Sequence, residues 1–259
     1  MLLLELSIFA GGLIIGSFLN VCIYRIPRQI SLLNPRRSIC PQCRAVISWW
    51  QNIPLISFAL LKGRCYHCNQ PVSYLYPAIE LLSGLLALLF FWRFGLSGTF
   101  WFYLLLAFGL VVISVIDFQF KLIPNPVLAF LMISAILLNV WLKLIPWEKA
   151  LWGAALSFML LLLIRSGGQY ILQKESMGMG DVKLAALLGF YLGWQHFLLA
   201  LFIAACCALI VIAVIKIVFR KSYTEQIPFG PYLSLGALGV LYWAEAVREL
   251  FDGFLWGIH

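Results

Sequence analysis

Residues 99–117, TFWFYLLLAFGLVVISVID, carry no charge until the last position, where the run ends on Asp117. Nearly twenty such residues are what an α-helix needs to cross a hydrocarbon core of about 30 Å. Comparable runs lie at 2–24, 74–93, 126–142, 148–170, 182–194, 196–219 and 228–250. The sequence therefore predicts an all-α integral membrane protein, a polytopic bundle of about eight transmembrane helices. The run at 182–194 is short, since its 13 residues rise only about 20 Å as a helix; it must start deep, end shallow or be fed by a re-entrant loop. Composition agrees, with 63 % hydrophobic and 11 % charged residues and a mean hydropathy of +0.99. Water-soluble domains are nearer half apolar.

Charge orients these runs. No basic residue precedes the first, and Arg25, Arg28, Arg36 and Arg37 follow it, so it reads as an uncleaved anchor with its N-terminus outside. Alternating the runs from there puts fourteen Lys and Arg on the inner side and four on the outer side, Arg93, Lys143, Lys149 and Arg248. That asymmetry is the positive-inside pattern, and it accounts for the net charge of +8 without a nucleic-acid partner. Trp92, Trp101, Trp141, Trp147 and Trp194 then fall near the outer interface, as an aromatic belt in contact with membrane lipid should. The partition is an anchor at 1–24, a polar cytoplasmic insertion at 25–73 and a helical bundle at 74–259.

The insertion holds two CxxC knuckles, Cys40 with Cys43 and Cys65 with Cys68. Four thiolates brought in by two tight turns match the tetrahedral preference of zinc. A pair of disulfides or a redox dithiol are the rival readings, and a cytoplasmic location disfavours the disulfides. A segment this short and weakly patterned gains its stability from the metal. Four protein ligands leave no open coordination position, so the zinc is expected to be structural. Cys22, Cys206 and Cys207 lie in apolar runs and read as small packing residues.

Asp117 and Asp181 are two of only three aspartates in the chain, and both border apolar runs. A carboxylate there costs roughly 3 kcal/mol or several times that, so such residues usually face a polar cavity and do chemistry. The orientation above puts both on the cytoplasmic side, where they could meet. Two carboxyls in a dry site repel, so that one keeps its proton, which supplies an acid and a base for peptide hydrolysis. Gly178 and Gly180, preceding Asp181, permit a sharp turn and close approach of a substrate strand. The plainer reading is that Asp181 caps a helix beginning at Val182 and Asp117 ends its helix at the interface.

The ordered blocks decide between these. Gly16-Ser17-Phe18-Leu19-Asn20-Val21, Tyr24-Arg25-Ile26-Pro27, the knuckles flanking Trp49-Trp50-Gln51-Asn52-Ile53-Pro54, and Tyr76-Pro77 with Glu80 come first. Asp117 with Leu122-Ile123-Pro124-Asn125, Gly178-Met179-Gly180-Asp181-Val182-Lys183 and Ile227-Pro228-Phe229-Gly230-Pro231 follow. Nearly end to end, this resembles the bacterial type IV prepilin peptidases, bifunctional leader peptidases and N-methyltransferases. The resemblance implies that Asp117 and Asp181 are the catalytic dyad of an intramembrane aspartic peptidase. Its substrates are prepilins or pseudopilins, whose basic leader is removed after a glycine before the new amine is methylated with S-adenosylmethionine. Relatives without the cysteine domain are thought to cleave only, so its presence favours both activities.

Finer expectations follow. Gly178, Gly180 and Lys183 are candidates for substrate contact, although a lysine snorkelling to the interface explains Lys183 equally simply. No Rossmann-type glycine loop marks a methyl-donor site; Asn20 and Arg25, polar residues at a membrane edge, are the candidates. Gln119 and Gln51 stand where many relatives carry acids. A basic leader beside a basic insertion calls for acidic groups such as Glu80, Glu175 or Glu225 to hold it. The alternatives of another class are an ion or proton transporter and a secretion-machinery scaffold with a zinc docking domain. Transport requires polar groups through the bilayer, and residues 126–142 and 196–215 offer almost none.

Overall fold

The computed structural model describes residues 1–34, 37–173, 177–219 and 228–243. Among them every expected apolar run is a helix, and the only extended pairing is two isolated bridges inside the cysteine insertion. In chain order the helices are α1 (Leu2–Arg25), α2 (Ile56–Leu60), α3 (Leu75–Phe94), α4 (Gly98–Phe120), α5 (Asn125–Leu142), α6 (Trp147–Leu172), α7 (Met179–Leu192), α8 (Trp194–Phe219) and α9 (Gly230–Tyr242). Six of the described helices, α1, α3, α4, α5, α6 and α8, are long and apolar enough to cross a membrane. The protein is a multi-pass membrane protein. The other two expected spans are shorter. Helix α7 has 14 residues, a rise of about 21 Å, and α9 has 13. Residues 244–250, the expected end of the last span, lie outside the described residues, as does Arg248 of the outer-side set.

Local chemistry sets the helix ends. Helix α4 stops where Lys121 turns left-handed (φ 53°) and donates its N–H to the Asp117 carbonyl at 2.8 Å. Pro124 precedes α5, and Pro126 sits in its first turn. The α5–α6 turn is closed by Asn139, whose amide donates to the Ile145 carbonyl at 2.9 Å and accepts the Ile145 N–H at 2.8 Å. Gly193, at φ 75°, separates α7 from α8.

The chain divides into two compact units, residues 1–112 and 113–259. In the first, α1 packs on α3 through Gly12 and Gly16: a Cβ on either would come within 2.8 Å of the facing backbone, at Gly84 and Glu80 respectively. In the second, α7 is the central element, packed against α5, α6, α8 and α9. From Asp181 to Leu192 it is buried except at Lys183 and Ala186. The exposed faces of α6 and α8 carry Leu151, Trp152, Leu156, Phe202, Leu209 and Ile210, the surface that lipid solvates.

Candidate active site and metal centre

Asp117 occupies the last turn of α4 and is 5 % exposed. The C-terminal end of a helix is electrostatically unfavourable for a carboxylate. The N-terminus of α9 compensates: the backbone N–H of Gly230 donates to Asp117 Oδ2 at 2.9 Å. A Cβ on Gly230 would lie 2.7 Å from that oxygen, so only glycine lets the amide approach.

Asp181, 9 % exposed, sits in the first turn of α7. It is not the helix cap. Gly178 is, with extended backbone (φ −69°, ψ 148°) and no side chain to offer. Asp181 instead stands three residues further on, where its carboxylate accepts from the Gly178 N–H and from its own, the backward half of a capping box. Its Oδ1 is fully buried and has no hydrogen-bond partner. The two carboxyls lie close enough to act on each other electrostatically. Thus α4, α7 and α9 each contribute one helix end to a single locus.

Two contacts hold the Gly178–Asp181 turn in place. A Cβ on Gly180 would fall 2.7 Å from Ile123 Cβ, so the turn packs directly on the α4–α5 connection. Arg165, in α6, donates from Nε to the Met177 carbonyl at 2.9 Å. Lys183 is exposed and donates to Asn125 Oδ1 at 2.9 Å, bracing α7 against the start of α5. Gln119 is exposed in the last turn of α4.

Sequence reasoning missed two of these positions. Arg165 served only as an inner-side charge. The Pro-Phe-Gly-Pro string at 228–231 was visible, yet nothing local assigns its glycine amide to a carboxylate 113 positions away.

In the insertion, Cys40, Cys43, Cys65 and Cys68 present sulfurs that all lie within 4.8 Å of one another. Cys40 Sγ and Cys68 Sγ are 4.0 Å apart, far from the disulfide length of about 2.0 Å. It is close to the roughly 3.8 Å between sulfurs of a tetrahedron with 2.3 Å metal bonds. The knuckles are structural copies. Cys40 N–H bonds to the Ala45 carbonyl and Cys65 N–H to the Gln70 carbonyl, each at 2.9 Å. Arg44 and Asn69 both turn left-handed at φ 57°. The Cys68 backbone N–H holds the Cys65 thiol down at about 7. For Cys68 the Gln70 N–H pulls the thiol down, but burial and the other three thiols outweigh it and push it up to about 11. The cluster can hold a metal ion.

The remaining candidates are engaged structurally. Asn20 Nδ2 donates to the Tyr76 carbonyl at 3.0 Å, joining α1 to the start of α3. Arg25, 6 % exposed, donates to the Ser31, Leu32 and Arg37 carbonyls. Gln51 Oε1 accepts the Ser48 N–H at 3.0 Å. Glu80 is not a surface acid for a basic leader: it is buried, and its Oε2 accepts the Leu55 N–H at 2.9 Å. Glu175 and Glu225 lie outside the described residues.

Comparison with known proteins matches residues 10–94 to the bacterial peptidase A24 N-terminal domain and residues 104–213 to the type IV leader peptidase family. Among curated proteins, the chain is 33 % identical to a prepilin leader peptidase/N-methyltransferase of Stutzerimonas stutzeri, covering 94 % of this chain and 92 % of that protein. It is 31 % identical to the protein of the same description in Legionella pneumophila, with the same coverage. It is 36 % identical to a type 4 prepilin-like proteins leader peptide-processing enzyme of Escherichia coli O78:H11, over 90 % and 91 % of the two chains. No solved structure matches.

Proposed function

The chain belongs to the type IV leader peptidase family, and from that premise we propose that it removes the basic leader from prepilins or pseudopilins by an aspartyl dyad, Asp117 and Asp181, and methylates the amine so exposed. The observation that carries the peptidase half is the convergence of two buried carboxyls at the ends of α4 and α7, beside a turn of two glycines.

Both carboxyls accept backbone N–H groups, but only Asp181 has an oxygen buried without a donor, so Asp181 keeps the shared proton and Asp117 is the base that takes a proton from the attacking water. Asp181 Oδ1, buried without a donor, is the place for the proton the pair shares. It passes to the carbonyl oxygen as water attacks the carbon. Gly178 and Gly180 leave room for the substrate backbone. Lys183, engaged with Asn125, shapes the rim of the site.

Zinc fits the cysteine cluster: four sulfur donors at tetrahedral spacing favour it and leave no position for substrate. The ion would be held by Cys40, Cys43, Cys65 and Cys68 and would fold the insertion. S-adenosylmethionine supplies the methyl group when bound, with Asn20 and Arg25 framing the neighbourhood of its site. The protein lies in the inner membrane, N-terminus outside, with the insertion and the aspartates cytoplasmic. The partition into anchor 1–24, zinc insertion 25–73 and peptidase bundle 74–259 follows. Net charge and basic-residue sidedness support this placement.

The test is mass spectrometry of a prepilin incubated with the protein in lipid and S-adenosylmethionine. Loss of the leader and addition of one methyl group are expected. Intact prepilin in the presence of folded, zinc-loaded protein would move the transporter reading to the front.

A further inference from the structure

The Met177–Gly178 peptide unit is bonded on both of its edges. Its carbonyl accepts the Arg165 Nε–H at 2.9 Å, and its N–H, that of Gly178, donates to the Asp181 carboxylate. A trans peptide is planar, with its C=O and N–H pointing opposite ways, so a guanidinium that fixes one edge also aims the other. Accepting that bond polarises the peptide and strengthens its N–H as a donor. Arg165, half-buried on α6, is thus joined to Asp181 on α7 through one rigid group.

The packing of α6 on α7 explains why a donor stands there. A Cβ on Gly153 would strike Gly193, and one on Gly189 would strike Ser157, so the two helices run antiparallel with 153 opposite 193 and 157 opposite 189. Eight residues further along each helix, that register sets Arg165 level with Asp181. Helix α6 continues to Leu172, a further rise of about 10 Å, so α7 starts deep, roughly two turns short of the end of α6. A backbone carbonyl outside any helix at that level needs a donor that lipid cannot supply. A cation on a membrane helix in turn needs a polar partner. Ile123 beneath Gly180 and Asn125 on Lys183 steady the same turn from the other side. Among the described residues, however, the Arg165 bond is the one made to the peptide that touches Asp181. A Cβ on Gly178 would lie 3.3 Å from Asp181 Oδ2, so Oδ2 is the oxygen turned to this peptide and Oδ1 is the one left without a partner.

We propose that Arg165 is a positioning residue for the aspartyl pair: by fixing the Met177–Gly178 peptide it sets the direction in which Asp181 presents its unbonded oxygen. The inference rests on the dyad reading of the proposed function and adds to it a residue that acts only through Asp181.

The experiment is steady-state cleavage of a prepilin by the full-length protein in nanodiscs, as wild type, Arg165→Met and Arg165→Lys, with hydrogen exchange on the same samples. Methionine keeps an unbranched apolar stem but removes the donor; lysine restores a donor and the charge without the planar fork. Misplacing a reacting group by about 1 Å costs about 10²-fold. Arg165→Met is therefore expected to lower kcat by about ten- to hundredfold with KM unchanged, and Arg165→Lys to recover part of that loss. Exchange should quicken across residues 177–182 and keep its wild-type rate across 184–192. Wild-type kcat in Arg165→Met overturns the inference while the dyad reading stands. Faster exchange along the whole of 177–192, or a lysine variant no better than the methionine one, also overturns it, because Arg165 would then support the bundle rather than aim Asp181. Wild type that leaves prepilin uncleaved overturns the inference and the dyad reading together. If Arg165→Met does not fold, the shorter, uncharged Arg165→Gln takes its place under the same criteria.

Discussion

The amide of Gly230 points its N–H at Asp117 Oδ2 from 2.9 Å, joining the first turn of α9 to the last turn of α4. The contact depends on a missing side chain, because a Cβ there would stand 2.7 Å from the same oxygen. Gly230→Ala is therefore expected to displace Asp117 while α9 still forms, since alanine is a better helix former than glycine. A hydrogen bond to a charged group contributes about 1.5–3 kcal/mol, so the turnover rate should fall roughly ten- to hundredfold with little change in KM. Steady-state cleavage of a prepilin measures this; an unchanged rate would remove Gly230 from the machinery.

Asn at either aspartate keeps size and polarity but cannot exchange a proton. A positioned acid or base contributes about 10²–10⁴-fold, so Asp117→Asn and Asp181→Asn should each lose at least that much. Because the pair acts as one unit, the double variant should be hardly worse than either single one. Rates that multiply instead would show that the two groups work independently.

Gly180 rests on Ile123, and the 2.7 Å contact a Cβ would make is with a branched, buried side chain. Gly180→Ala should push the first turn of α7 outward and misplace Asp181. Space can be returned from the other side: Ile123→Ala in the same chain should recover much of the lost cleavage. A double-mutant cycle reads the coupling directly, and additive losses would mean that Gly180 matters for a reason other than this contact.

Glu80 fastens the insertion to the α1–α3 pair. Its carboxylate receives the Leu55 N–H at 2.9 Å, at a residue held at positive φ (59°), and the Ser17 hydroxyl also bonds to it. Glu80→Ala leaves a polar hydrogen without a partner, a cost of about 1–3 kcal/mol. Faster hydrogen exchange across residues 53–60 is expected, with Glu80→Gln, which keeps an acceptor, closer to wild type. Equal exchange in all three proteins would contradict this role.

Much of this architecture could be read from the chain. Uninterrupted apolar runs gave every described helix except the short α2, because a membrane span needs about twenty such residues and little else does. The cysteine spacing gave the metal centre, and the expense of burying a carboxylate singled out the aspartates. What escaped was tertiary. Helix α7 begins at Met179, three residues before the apolar run at Val182, because Gly178 caps it and Asp181 reaches back to the cap. Hydropathy does not record such a start. Glu80 reads as a surface acid in sequence, but α1 packs against it and the Leu55 N–H bonds to it. The two knuckles were legible from their cysteines, but their matching backbone bonds were not, because between corresponding positions 40–45 and 65–70 only the cysteines agree.

The metal centre gives the sharpest separation between the two activities. The insertion has few buried apolar side chains of its own, Cys40 being its only buried hydrophobic residue among those described, so a metal ion held by the four cysteines would tie the knuckles together. One zinc per chain is expected by elemental mass spectrometry. Its removal with a strong chelator, or Cys43→Ser with Cys68→Ser, should unfold residues 37–72. The aspartates lie in the other compact unit, residues 113–259. Leader removal should therefore survive largely intact while methylation is lost. Parallel mass spectrometry of the cleaved product scores both events in one spectrum, and equal loss of both activities would show that the insertion also supports the peptidase site.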